Sequence, residues 1–204
     1  MRVLIACEFS GVVRDAFRSK GHNAWSCDLL PCEADPTYHI QGNVLPVLNQ
    51  GWDLMIAHPP CTHLAVSGAA WFEKKRKDGR QREGIDLFMQ FASAPIPRYA
   101  IENPVGIMST LWRSPDQVIQ PYYFGDEFQK TTCLWLKGLP PLIHVAENDL
   151  FDTKTHVGRG EMIEFASGKR MAKWYALLRA DSTRAHIRSR TFQGIAKAMA
   201  EQWG

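Results

Sequence analysis

The chain has 204 residues, 45% hydrophobic and 22% charged, which is enough to bury one sizeable core and suits a single domain. The opening "MRVLIACEF" is too short an apolar stretch, broken at Glu8, for a signal peptide, and no apolar run approaches the roughly 18 residues of a membrane span, so a cytoplasmic protein with no membrane partner is expected. Five scattered cysteines (Cys7, Cys27, Cys32, Cys61, Cys133) read as thiols rather than a disulfide framework, and the formal net charge of +3 is too mild, if spread evenly, to argue for nucleic acid.

The elements follow in chain order. "RVLIAC" is a short apolar run of the buried-strand kind, and "GVVRDAFRSKG" sets Val12, Val13, Ala16 and Phe17 on one helical face closed by Gly21. "NAWSCDLL" and "WDLMIAH" predict two more strands, "GIDLFMQFASA" a helix, and "PRYAIENP" a buried strand ended by Pro104. "QVIQPYYFG" and "TTCLWLKGL" predict later strands, "TFQGIAKAMAEQWG" a closing helix, and about 140 to 189 a loop-rich excursion. Strands separated by helical patterns predict an α/β fold with a mostly parallel sheet and helices on both faces.

In such a sheet, ligands sit at the carboxyl ends of the strands. Glu8, Phe9, Ser10 and Gly11 follow the first strand, Asp28 ends the second, and Asn43 and Val44 follow a turn at Gly42. Pro59, Pro60 and Cys61 follow "DLMIAH", while Glu102 and Asn103 end "RYAIEN". Any one of these has an ordinary structural explanation. Together they place polar or reactive groups at one edge.

A thiolate is the reactive form of cysteine, and two prolines fix the backbone just before Cys61. A Cys and Glu pair without a Cys-His-Asn order suits attack on an electron-poor ring. Thiolate addition at C6 of a pyrimidine becomes feasible when an acid, here Glu102, protonates or hydrogen-bonds N3, and the adduct then carries a nucleophilic C5. His58, Cys61 and His63 could be imagined as metal ligands, but no second cluster completes a tetrahedral site, and no metal is expected. Cys7, Cys27 and Cys133 lie within apolar runs and read as core.

"PPC" after one strand and "ENP" at the end of the next resemble the two catalytic motifs of the DNA cytosine-5 methyltransferases, and the likeness extends over nearly the whole chain, in the manner of short phage or prophage members. The resemblance implies a Rossmann-like methyltransferase fold, S-adenosyl-L-methionine as methyl donor, and a single catalytic domain over 1–204 with 140–189 as a short insertion in place of a full recognition domain. "EFSG", Glu8 to Gly11, resembles the donor loop, with Phe9 against the adenine; Asp28 falls at the ribose, and Asn43 and Val44 beside the adenine, with Pro59 at the same edge. "SRTFQGIAKAMA" resembles the segment that completes the donor site.

Carried over by position, Cys61 attacks C6, with Pro60 setting its backbone. Glu102 contacts N3 and the exocyclic amine, Asn103 and Pro104 shape the wall beneath the base, and Lys130 stands where an O2-anchoring arginine is usual. C6 is stacked inside a duplex, so the cytosine must be flipped out of DNA. The segment "EKKRKDGRQRE" carries six basic and three acidic residues, an excess equal to that of the whole chain. Its Lys74, Lys75, Arg76, Lys77, Arg80 and Arg82 are expected to contact phosphates in a salt-sensitive way, with Trp71 nearby as a candidate wedge. Asn43 stands for the usual Asp, His58 for a frequent Gly, and Val12 and Val13 follow a lone Gly11. Two alternatives stand beside this reading: a related C5-pyrimidine modification of a nucleotide or RNA, or with another one-carbon donor, and a catalytically silent DNA-binding or donor-sensing module.

Overall fold

The computed structural model describes residues 1–148, 150, 152–168, 170–177 and 191–204. Seven strands form one sheet: β1 (Arg2–Ala6), β2 (Asn23–Asp28), β3 (His39–Gln41), β4 (Leu54–Ala57), β5 (Arg98–Pro104), β6 (Gln117–Ile119) and β7 (Thr132–Lys137). Their order is β3-β2-β1-β4-β5-β7-β6, parallel throughout except β7, which runs antiparallel to both β5 and β6. This is a Rossmann-like α/β fold with a mostly parallel sheet, as the sequence implied.

Strand alternation divides the core in two. Leu4, Ala6, Met55, Ala57, Tyr99 and Ile101 face one side, where helix α3 (Arg80–Ala92) covers them with Phe88 and Phe91. Val3, Ile5, Leu54, Ile56 and Ala100 face the other, covered by α1 (Val12–Ser19) through Val13 and Phe17 and by the closing helix through Ile195 and Met199. Buried on both faces, these strands are continuous apolar runs, which is why they were readable. Between Cys61 and α3 lie 3₁₀ turns at Cys61–His63 and Val66–Trp71 and the short helix α2 (Phe72–Lys77), so the basic run is largely helical.

After β5 come α4 (Met108–Leu111), then β6 and β7, a two-stranded antiparallel ladder β8 (Met162–Glu164) and β9 (Arg170–Ala172), α5 (Lys173–Ala176) and the closing helix α6 (Gln193–Gln202). The start of the predicted excursion is held on the core: Trp203 Nε1 donates to the Pro140 carbonyl at 2.9 Å, and Ile143 exchanges hydrogen bonds with Gln202. Part of that excursion, with Ser189 and Arg190 of the closing segment, lies outside the described residues. Among the described residues no helix is long and apolar enough to cross a membrane.

Candidate active site

The chain runs from β1 outward to β2 and β3, then returns to β4 on the other side of β1. That reversal opens a crevice at the carboxyl ends of β1 and β4, where ligands of open parallel sheets bind. Glu8 to Gly11, Asp28, Asn43 and Val44, Pro59 to Cys61, and Glu102 and Asn103 lie at the carboxyl ends of β1 to β5.

On the β1 side, Glu8 is buried and its carboxylate accepts from the amides of Val13 (2.7 Å) and Arg14 (3.2 Å) at the start of α1 and from the Ser10 hydroxyl (3.3 Å). Glu8 therefore shapes the loop from beneath. Burial raises its carboxyl, and the charge of His58 and the α1 amides offset this only in part. Gly11 has φ +76°, and a Cβ there would lie 2.8 Å from Arg14 Nη2 and 3.0 Å from Ala34 Cβ, so only glycine suits the turn. Phe9 is buried beside it. A cavity of about 420 Å³ opens at this loop, lined by Ser10, Val12, Asp15, Ala16, Ala34 and Gln193.

The ends of β2 and β3 meet. The Gly42 amide donates to the Asp28 carbonyl at 2.8 Å, setting Asn43 and Val44 beside Asp28. Asp28 Oδ1 accepts from the Leu30 amide and Asn43 Oδ1 from the Leu45 amide, which holds both short turns. Val44 is buried, Asn43 is exposed, and Leu29 and Leu30 present apolar side chains to solvent next to Asp28.

On the β4 and β5 side, Asn103 Nδ2 donates to the Pro59 carbonyl at 2.8 Å, linking the "PPC" and "ENP" segments directly. Glu102 is buried, and its Oε2 lies 2.9 Å from Nδ1 of His58, also buried. Burial pushes the Glu102 carboxyl up, but the charge of Lys130 and the hydrogen bond with His58 more than offset it, leaving Glu102 below the ordinary carboxylate range. Lys130 thus stands within electrostatic reach of Glu102, and its Nζ lies 5.8 Å from the Phe192 ring centre. Cys61 is half-buried at the start of its 3₁₀ turn, preceded by the exposed Pro60. All five cysteines are thiols.

The root of the segment after Cys61 is pinned to the end of β5. Val66 N–H donates to the Val105 carbonyl and Ile107 N–H to the Leu64 carbonyl, both at 3.0 Å. The expected phosphate-contacting set divides here. Lys74 and Arg76 are exposed, while Lys77 pairs with Glu73, Arg80 with Asp78 and Arg82 with Asp86 in surface pairs that leave their charge near solvent. Lys75 requires a correction: it is 8% exposed and donates Nζ to the Thr62 carbonyl at 2.5 Å, so its ammonium braces the turn carrying Cys61 instead of facing a phosphate. Trp71 is 63% exposed on the same segment. Gln81 donates to the His63 carbonyl, and burial with the charges of Lys75 and Arg80 holds the His63 imidazole below its usual range.

The chain matches no family model. No curated protein matches it either. Among solved structures, it is similar to a protein encoded within an E. coli prophage and provisionally assigned as a DNA modification methyltransferase, at 14% identity and a TM-score of 0.46, over 67% of this chain and 46% of that one. The chain thus spans less than half the length of that protein, and the functional reading rests on the residues.

One residue escaped sequence reasoning as part of the site: His58, which contacts Glu102. Gln193, which lines the cavity, and Phe192, which faces Lys130, belong to the "SRTFQGIAKAMA" segment expected at the donor site, although neither residue stands out locally. Among the described residues, no group of three or more His, Cys, Asp and Glu side chains could hold a metal.

Proposed function

We propose that this chain is a DNA cytosine-5 methyltransferase that forms a covalent Cys61 adduct at C6 of a flipped cytosine. The observation that carries the reading is the juxtaposition of "PPC" and "ENP" at adjacent strand ends, with Asn103 bonded to Pro59 and Glu102 buried one residue away. A thiol and a carboxyl group with one fixed relation can act on opposite sides of a pyrimidine ring. In this reading one catalytic domain spans 1–204, with 140–189 as its short insertion.

S-adenosyl-L-methionine supplies an electrophilic methyl group when bound. The residues at the β1–β3 edge fit it: the Gly11 turn with its cavity suits the amino-acid end, Asp28 the ribose hydroxyls, and Phe9, Asn43, Val44 and Pro59 the adenine side. Cys61 would attack C6 while Glu102 delivers a proton to N3 and accepts from the exocyclic amine. C5 then takes the methyl group, loss of its hydrogen restores the double bond, and Cys61 leaves as thiolate. Asn103 and Pro104 wall the base, Lys130 approaches it from the β7 side, and Lys74, Arg76, Lys77, Arg80 and Arg82 hold the DNA.

The test is nucleoside mass spectrometry of DNA incubated with donor and either the native chain or Cys61→Ala. The proposal expects 5-methylcytosine with the native chain alone. N4-methylcytosine, N6-methyladenine, or equal product from both chains would overturn it. Product on RNA or free nucleotide in place of DNA would favour the first alternative, and donor binding without product on any of these the second.

A further inference from the structure

His58 precedes the two prolines, and its ring occupies the ground between the two ends of the crevice. Nδ1 is 2.9 Å from Glu102 Oε2, and both side chains are at most 9% exposed. Nε2 is closed off from solvent and has no hydrogen-bond partner among the described residues. An unsatisfied buried nitrogen is costly, so an apolar side chain of similar size would serve stability better at this position. The charged groups around the pair come from four elements: Glu8 after β1, Arg14 on α1, Glu102 on β5 and Lys130 before β7.

The mechanism poses a problem that this ring answers. Glu102 must keep one carboxyl oxygen turned to N3 of the base, which requires that the other be held fast. Each carboxylate oxygen has two acceptor positions, so Oε2 can keep its bond to Nδ1 while the carboxyl group faces a base. We propose that His58 is a positioning residue for Glu102, its Nδ1–Oε2 contact fixing the carboxyl group that serves N3 of the pyrimidine. As the sulfur electron pair forms the S–C6 bond, the C5=C6 π pair moves to C4–C5 and the C4=N3 π pair to N3, which takes its proton from the Glu102 carboxyl group, held in place by the contact between Oε2 and His58 Nδ1. The same proton returns to Glu102 as Cys61 departs.

This inference rests on the proposed function, and its test separates the two. The readout is exchange of C5 tritium from cytosine in DNA into solvent, which reports attack at C6 without methyl transfer, measured for the native chain, Cys61→Ala, His58→Ala, His58→Asn and His58→Gln. An Asn amide reaches the Nδ1 position and can donate to Glu102, whereas a Gln amide extends toward the Nε2 position. The expected result is a loss of about 100-fold or more in His58→Ala, recovery of about tenfold in His58→Asn, and none in His58→Gln. Should His58→Ala fail to fold, the Asn and Gln variants carry the comparison. Equal rates in Asn, Gln and native chains would overturn the His58 role alone. No exchange by the native chain, with no methyl transfer to DNA, RNA or dCMP, would overturn the proposed function, and this role with it.

Discussion

Asn103 and Pro59 are 44 residues apart in sequence, yet the Asn103 amide donates to the Pro59 carbonyl at 2.8 Å in a fully enclosed contact. One bond therefore sets the distance between the cysteine-bearing turn and the strand that carries Glu102. Asn103→Ala leaves a buried carbonyl unpaired, and the expected loss is about 1–3 kcal/mol of unfolding free energy in denaturant titrations. Product formation should fall more steeply than donor-analogue affinity, because the β1–β3 edge is untouched.

Gly106 lies against the root of the same turn. A Cβ at this position would be 2.5 Å from the Leu64 carbonyl oxygen, which already accepts from Ile107 N–H. Gly106→Ala must displace the segment between Cys61 and Val66, at a cost of about 1–3 kcal/mol for the overpacking. Assayed well below its melting temperature, the variant is expected to keep its circular dichroism and lose most Cys61-dependent product. Unchanged activity would show that the turn's position does not matter.

The charge of Lys130 gives a pH prediction. Glu102 is held below its unfolded value of about 4.3, so its ionised form contributes stability that is present above that pH and is lost as pH falls through the folded value. In Lys130→Met the burial of Glu102 is no longer offset by that cation, and its carboxyl rises. The variant should be less stable at pH 7 by about 1–2 kcal/mol, solvent screening at the half-exposed Lys130 limiting the loss. The deficit should shrink as pH is lowered toward about 4, which melting curves across that range would measure.

The five thiols should separate by reactivity. Burial, then the charge of Asp28, pushes Cys7 up to about 12 and Cys27 up to about 11, and burial followed by Glu102 raises Cys133. Cys32 and Cys61 are half-buried. Titration of the native chain with a disulfide reagent near pH 8 should label Cys32 and Cys61 first, with all five reacting only in denaturant. Cys61→Ala should remove one of the two early equivalents.

The sheet was readable where its strands are buried on both faces. "RVLIAC", "DLMIAH" and "YAIEN" are apolar runs that end in polar residues, so strand and site were visible in the same few letters. β3 was not visible, since His39–Gln41 is three half-buried or exposed residues whose extended form comes from pairing with Ser26, Cys27 and Asp28. The charge of the basic run was legible but its helical form was not: Asp78 accepts from the Arg80 amide and Gly79 turns the chain at φ +84°, starting α3 four residues before its apolar pattern begins. Neither the inward turn of Lys75 nor the partner of His58 is a local property, because each is fixed by residues brought together only by folding.

The most direct test of the central claim is the intact mass of the chain after incubation with S-adenosyl-L-methionine and a short duplex containing 5-fluorocytosine, in which the C5 fluorine cannot be removed to release the enzyme. The account predicts a protein–DNA adduct that carries one added methyl group, maps by peptide mass to Cys61, and is absent in Cys61→Ala. Methylation of ordinary DNA by the native chain, with no adduct on the fluorinated duplex, would contradict covalent attack by Cys61 and point to transfer onto an exocyclic amine.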